Sequence, residues 1–178
     1  MKPSPSECEV PPDSRVAQLL QGASFHDAWH ITSARVDRSA LEHFLAAAEK
    51  TPSWVNAAMV ARNRVVQLLG LKNLGALNSL YRARTASAYK PGDCIGIFTL
   101  FEASDDEVLL GDRDKHLDVV LSVHKRLLAS GQAVSVTLTT VVHVKNLLGR
   151  LHILAVTPAH RIIAPAVLAG IVDLLDTG

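Results

Sequence analysis

The stretch GDRDKHLDVVLSVHK, Gly111 to Lys125, decides the fold. From Lys115 onward, Leu117, Val119, Leu121 and Val123 alternate with His116, Asp118, Ser122 and His124. A period of two is that of a strand with one apolar and one polar face. The same alternation returns over Ala133–Val144, where Val134, Val136, Leu138 and Val142 oppose Ser135, Thr137, Thr139 and His143. Gly131-Gln132 turns the chain between the two runs, so they pair antiparallel. Cys94–Glu102 reads as a further strand, apolar on both faces, and Glu107–Gly111 as a short one. Ala103–Asp106 and Gly111-Asp112-Arg113 read as turns. Arg150–Val156 reads as the last strand, and Thr157-Pro158 as the start of a closing helix through PAHRIIAPAVLAGIVDLL, with Pro165 a kink.

Upstream the period is 3.6. Ser39 caps SALEHFLAAAEK, and Glu42 completes a capping box. Thr51 and Pro52 open a second helix that runs to Gly70, with Trp54, Ala58, Ala61, Val65 and Leu68 on one stripe. Residues 71–92 read as a connection. Phe25–Ala34 is a first strand, with Phe25, Asp27, Trp29 and Ile31 on one side. Residues 1–21, Pro- and Ser-rich at their start, read as a disordered tail, and 22–178 as one domain. The order is strand, two helices, a meander and a long C-terminal helix. That is an α+β fold in which an antiparallel sheet of about six strands is covered by the last helix.

Composition narrows the function classes. Nearly half of the 178 residues are apolar and 20% are charged, as in a globular chain, and the net charge is +1. Such a charge offers no field for nucleic acid, and eight aromatics are too few for stacking platforms. Two cysteines make neither a disulfide framework nor a zinc clamp, and Cys94 reads as packing. No GxGxxG, Walker loop, GxSxG or HExxH is present, so no cofactor or metal is expected. The N-terminus has no apolar core of a signal peptide. The longest apolar run, IIAPAVLAGIVDLL, is interrupted by Pro165 and Asp173 and falls short of a membrane span. A cytoplasmic protein, monomeric or homodimeric, is the expectation.

Three side chains are candidates for acid–base chemistry. His116 and Asp118 leave one strand face about 7 Å apart, but two groups are short of a metal site. The ordinary reading makes them the wet side of a strand. Asp27 lies on an apolar face, where an unpaired carboxylate is costly. Either Arg62 or Arg64 neutralises it, or its pKa is raised and it acts as general acid or base.

The motifs WVNAAMVARNRVVQLLGLK, YKPGDCIGIF, LLGDRDKHLDVVLSV, TTVVHVKNLLGRLHI and PAHRIIAPAVL, taken in order, resemble the bacterial domain-of-unknown-function family 2867 over about residues 22–173. That domain also occurs fused behind NAD(P)-binding domains, which this chain lacks. The element order is similar to the helix-grip fold of START-like lipid-transfer domains. The resemblance implies a ligand cavity between sheet and C-terminal helix, for a small apolar or amphipathic molecule. Trp29, Trp54, Phe98 and His143 are candidate ligand contacts. Arg62 would anchor an anionic end. An enzyme acting in that cavity on a small carbonyl or polyketide-like substrate is the alternative, as is a non-catalytic interaction module whose core is filled.

Overall fold

Residues 3–58 and 84–171 are described by the computed structural model. They form a seven-stranded, wholly antiparallel sheet: β1 (Ser6–Glu7), β2 (Phe25–Ser33), β3 (Cys94–Ile95), β4 (Phe98–Ala103), β5 (Glu107–Arg113), β6 (Leu117–Leu127) and β7 (Val134–Val144). The spatial order is β1-β2-β7-β6-β5-β4-β3, so the meander closes back on the first long strand. Helix α1 spans Ala40–Glu49, α2 is described over 53–58, and α3 spans Leu147–Leu168. The architecture is α+β, as the change of period implies.

The alternation in β6 and β7 places their apolar sides on one sheet face. There Leu121, Val123, Val136 and Leu138 pack with Phe44 and Ala47 of α1 and Ala164 and Leu168 of α3. Helix α1 begins at the expected capping box: Ser39 Oγ accepts from Glu42 N at 3.3 Å, and the Glu42 carboxylate accepts from Ser39 N at 2.7 Å. The second helix lies outside the described residues beyond Ala58, and with it Arg62 and Arg64.

The opposite sheet face departs from the polar alternation. Ser122, His124, Thr137 and Thr139 are buried there, because the N-terminal segment is ordered against them. β1 pairs with β2, and a 3-10 turn at Arg15–Leu19 sets Val16 between Val120 and Val141. Buried Glu107 holds this turn in place. Its carboxylate accepts from Arg15 N at 2.7 Å, Val16 N at 3.3 Å and Ser122 Oγ at 2.7 Å. The first N–H groups of a helical turn have no partner of their own, and here a strand carboxylate supplies one. Composition weighs the segment's own apolar content and misses an acceptor that waits elsewhere.

Three boundaries differ from the sequence reading. Cys94–Glu102 is two strands, because Gly96 (φ 62°) and Ile97 form a two-residue hairpin turn with Ile95 opposite Phe98. Cys94 is consequently exposed rather than packed. Gly111-Asp112-Arg113 is strand, and the turn lies at Asp114–His116, where Asp114 Oδ1 accepts from His116 N and Leu117 N. Gly111 is small because a Cβ there would run into the Val119 carbonyl and the Phe101 ring.

The third difference is the largest. Arg150–Val156 is helix, not strand: α3 starts at Leu147, ten residues before Thr157, with both Pro158 and Pro165 inside it. Asn146 caps it, its side chain accepting from Gly149 N at 3.1 Å. With the turn behind it, Leu147–Ile171 is 25 residues, long and apolar enough to cross a membrane by length and composition. A helix that covers a sheet passes the same test, and α3 packs on β2 and β7. Its outer face leaves Leu147, Leu151, Leu154 and Ile162 exposed.

His43 gives α1 a pH-dependent grip. It is fully buried, with neither ring nitrogen in a hydrogen bond. Burial, reinforced by the charge of Arg38, pushes its pKa from 6.5 down to about 4; the Arg35 carbonyl, outside hydrogen-bond geometry, opposes this weakly. The unfolded chain takes up this proton below about pH 6.5, well before the folded one does. Stability is therefore full above that pH and falls toward pH 4, by up to about 1.4 kcal/mol per pH unit. In urea unfolding across this range, His43→Leu is expected to flatten the slope. Parallel curves for variant and parent would contradict the assignment.

Candidate functional site

Between the sheet and α3 lies a cavity of about 190 Å³. Inward-facing residues of β6 and β7, among them Leu121, Val123 and Leu138, form one wall. Val156, Ile163 and Val167 of α3 form the other. On α3, positions 153, 156, 160, 163, 164 and 167 all reach it, the i, i+3, i+7 spacing of one helix face. Phe44 and Ala47 of α1 contribute to the lining.

One polar cluster is built into this apolar surface. The β2–β7 register sets Asp27 directly opposite Thr140, and α3 brings His160 to both. His160 Nε2 is 3.2 Å from Asp27 Oδ1 and 3.0 Å from Thr140 Oγ1. Trp29, two residues along the same strand face, donates its indole N–H to Asp27 Oδ2 at 3.2 Å. Thr140 is also close enough to help hold the charge of the Asp27 carboxylate. Phe25 meets the His160 ring edge-on, centroids 5.8 Å apart. Asp27 is 8% exposed and stands behind His160, off the cavity wall.

Burial alone would raise the Asp27 pKa, but His160, Trp29 and Thr140 together outweigh it and hold the carboxyl below its ordinary range. Asp27 is thus ionised at neutral pH, which overturns the reading of a raised-pKa acid. Among the described residues its ionic partner is an imidazole, that of His160; Arg62 and Arg64 lie outside them.

A second polar zone, formed by Asp112, Asp114 and buried His152, borders the cavity two turns of α3 before His160, about 12 Å along the axis. Asp114 lies in the turn before β6. Burial would raise its pKa, but the His116 and Leu117 N–H groups outweigh that and lower it. Among the described residues, no three His, Cys, Asp or Glu side chains are grouped to hold a metal.

The other sequence candidates scatter. Asp118 pairs with Lys145 Nζ at 2.6 Å, and His116 Nδ1 contacts the Asn146 side chain. The two share no site, and neither lines the cavity. Phe98 does line it. Trp29 touches the site through Asp27, whereas Trp54 is about half exposed, at 46%. His143 faces the other side of the sheet, where its Nε2–H donates to the Leu19 carbonyl at 2.9 Å. Arg62 lies outside the described residues. Sequence reasoning missed His160 and Thr140. The signal was present, since Asp27 on an apolar face required a donor and His160 lies in the expected closing helix, but only the packing of α3 on the sheet brings the two together.

Residues 19–167 match the family described as "Protein of unknown function (DUF2867)", and the chain belongs to that family. No curated protein and no solved structure matches it.

Removing the carboxylate should loosen α3. Asp27→Ala leaves the imidazole and the indole N–H without their acceptor, a loss of about 3 kcal/mol in urea unfolding at neutral pH. Because the folded carboxyl titrates below its unfolded range, this difference is present above about pH 4 and shrinks on further acidification. A variant as stable as the parent at neutral pH would show that the cluster does not tie α3 to the sheet.

Proposed function

We propose that this protein binds a small, mostly apolar molecule in the cavity between the sheet and α3. The observation that carries the reading is the cavity's lining, apolar over most of its surface with polar groups gathered at His160 and around His152. Binding sites for small molecules take this form. Size narrows the class: an apolar cavity of about 150 Å³ accepts benzene, so about 190 Å³ suits one ring with a short substituent. Two-chain lipids and dinucleotides exceed it.

The layout, an antiparallel sheet with a long C-terminal helix packed across its inner face, resembles the helix-grip fold and supports the same reading. One fold hosts many functions, so the cavity and not the likeness carries the proposal. Passive binding is preferred to acid–base catalysis because Asp27 is engaged by the Trp29 indole and the His160 imidazole behind the wall. An interaction module with a filled core would leave no cavity of this volume.

Ethylbenzene is expected to raise the Tm of the parent protein, since a ligand that binds the folded state alone stabilises it. Val119→Trp, which fills the cavity from β6, is expected to fold and to lose the ligand-induced rise. No rise in the parent, or an equal rise in the filled variant, would sink the proposal.

A further inference from the structure

Among the described residues, the Thr51 and Thr157 hydroxyls and the His160 imidazole on the cavity wall have their donors turned away from it. Thr157 Oγ1 donates to the Ile153 carbonyl at 2.7 Å, and Thr51 Oγ1 to the Ala47 carbonyl at 3.2 Å. His160 faces two oxygens, Thr140 Oγ1 and Asp27 Oδ1, through one nitrogen, Nε2. The carboxylate only accepts when ionised, and a lone pair on Nε2 would face it unpaired. Nε2 must therefore carry the proton. A neutral imidazole has one N–H, so Nδ1 is left as a lone pair. Asp112 and Asp114, at the other polar zone, are carboxylates as well. Among the described residues, two hydroxyls, one imidazole and two carboxylates thus offer the cavity oxygen or nitrogen lone pairs. His152 also lines the cavity and has a partner of its own.

We infer that the cavity selects ligands that bring a hydrogen-bond donor, a phenolic or alcoholic hydroxyl on a one-ring apolar body, and disfavours ethers and ketones of equal size. This rests on the cavity being the binding site, as proposed above. The hydroxyl is received at His160 Nδ1, and the carboxylate of Asp27 sets this preference through the tautomer it imposes. Asp27 acts as a positioning residue, since it reaches the ligand only through His160. An ether in the same place meets a lone pair with a lone pair and leaves both unpaired, which a buried site penalises.

The test uses two isomers, 4-propylphenol and 4-ethylanisole, which match in composition and differ in having or lacking an O–H. Titration calorimetry is carried out at about pH 8.5, below the ordinary phenol pKa of about 10, so that the ligand keeps its O–H. The parent protein is expected to bind the phenol about tenfold more tightly, the factor given by one modest hydrogen bond. Asp27→Asn is expected to abolish that preference. Trp29 holds the amide oxygen, which turns the amide N–H toward Nε2 and moves the imidazole proton to Nδ1. The anisole then gains a donor, and the phenol, which can also accept, keeps its affinity. His160→Phe removes the acceptor altogether and is expected to level the two ligands, which preserves the test if the Asn variant fails to fold. Equal affinities in the parent, or an unchanged ratio in both variants, would overturn the inference while leaving the cavity as a binding site. If neither isomer binds the parent, the binding site and the inference fall together.

Discussion

A carboxylate on the inner face of a β-sheet is the constraint around which this molecule is arranged. Asp27 occupies an inward position of β2 among Phe25, Trp29 and Ile31, where an ionised group without partners costs several kcal/mol. Its neighbours come from three places: the indole of its own strand, Thr140 directly across on β7, and the imidazole of α3. The first two follow from strand geometry alone. The third requires α3 to cross the sheet at that point with residue 160 facing inward. The same crossing leaves the space between Leu121, Leu138 and the inner face of α3 that forms the cavity.

The outer face of the sheet repeats the device. Glu107 is buried, and its donors are the free N–H groups of the Arg15–Leu19 turn together with Ser122. Each face thus carries a buried carboxylate on a strand, and the element that covers the face supplies donors to it. Apolar burial drives both coverings, Val16 between Val120 and Val141 on one side and Ala164 with Leu168 on the other. Apolar contact is non-directional, whereas the carboxylates accept only from particular atoms. They set where each cover sits.

Much of the fold was legible because β6, β7 and α1 are locally consistent: alternation, turn residues and a capping box agree with the tertiary structure. The failures share a physical origin. Leu151–Val156 is apolar enough for a buried strand or a helix, and periodicity cannot separate these in so short a run. Pro158 invited a helix start, yet α3 carries it in its interior. Gly96 and Gly111 exchanged roles, one making a turn inside an apolar run and the other a close contact inside a strand. The candidate site was half legible. Asp27 stood out as a charge in an apolar row, but its partner is 133 residues away, in a segment whose start had been misplaced. Ser122, Thr137 and Thr139 were assigned to water because no local pattern marks a strand face that a distant segment covers.

The most direct measurement is the long-range nitrogen–proton NMR spectrum of the His160 ring at a pH where imidazole is neutral. If buried Asp27 anchors α3 and sets the polarity of the cavity, Nε2 will carry the proton and show the pyrrole-type shift, with Nδ1 pyridine-type. A ring protonated at Nδ1, or one averaging between tautomers as in free imidazole, would mean that Asp27 does not hold His160 and that the cavity has no fixed polarity.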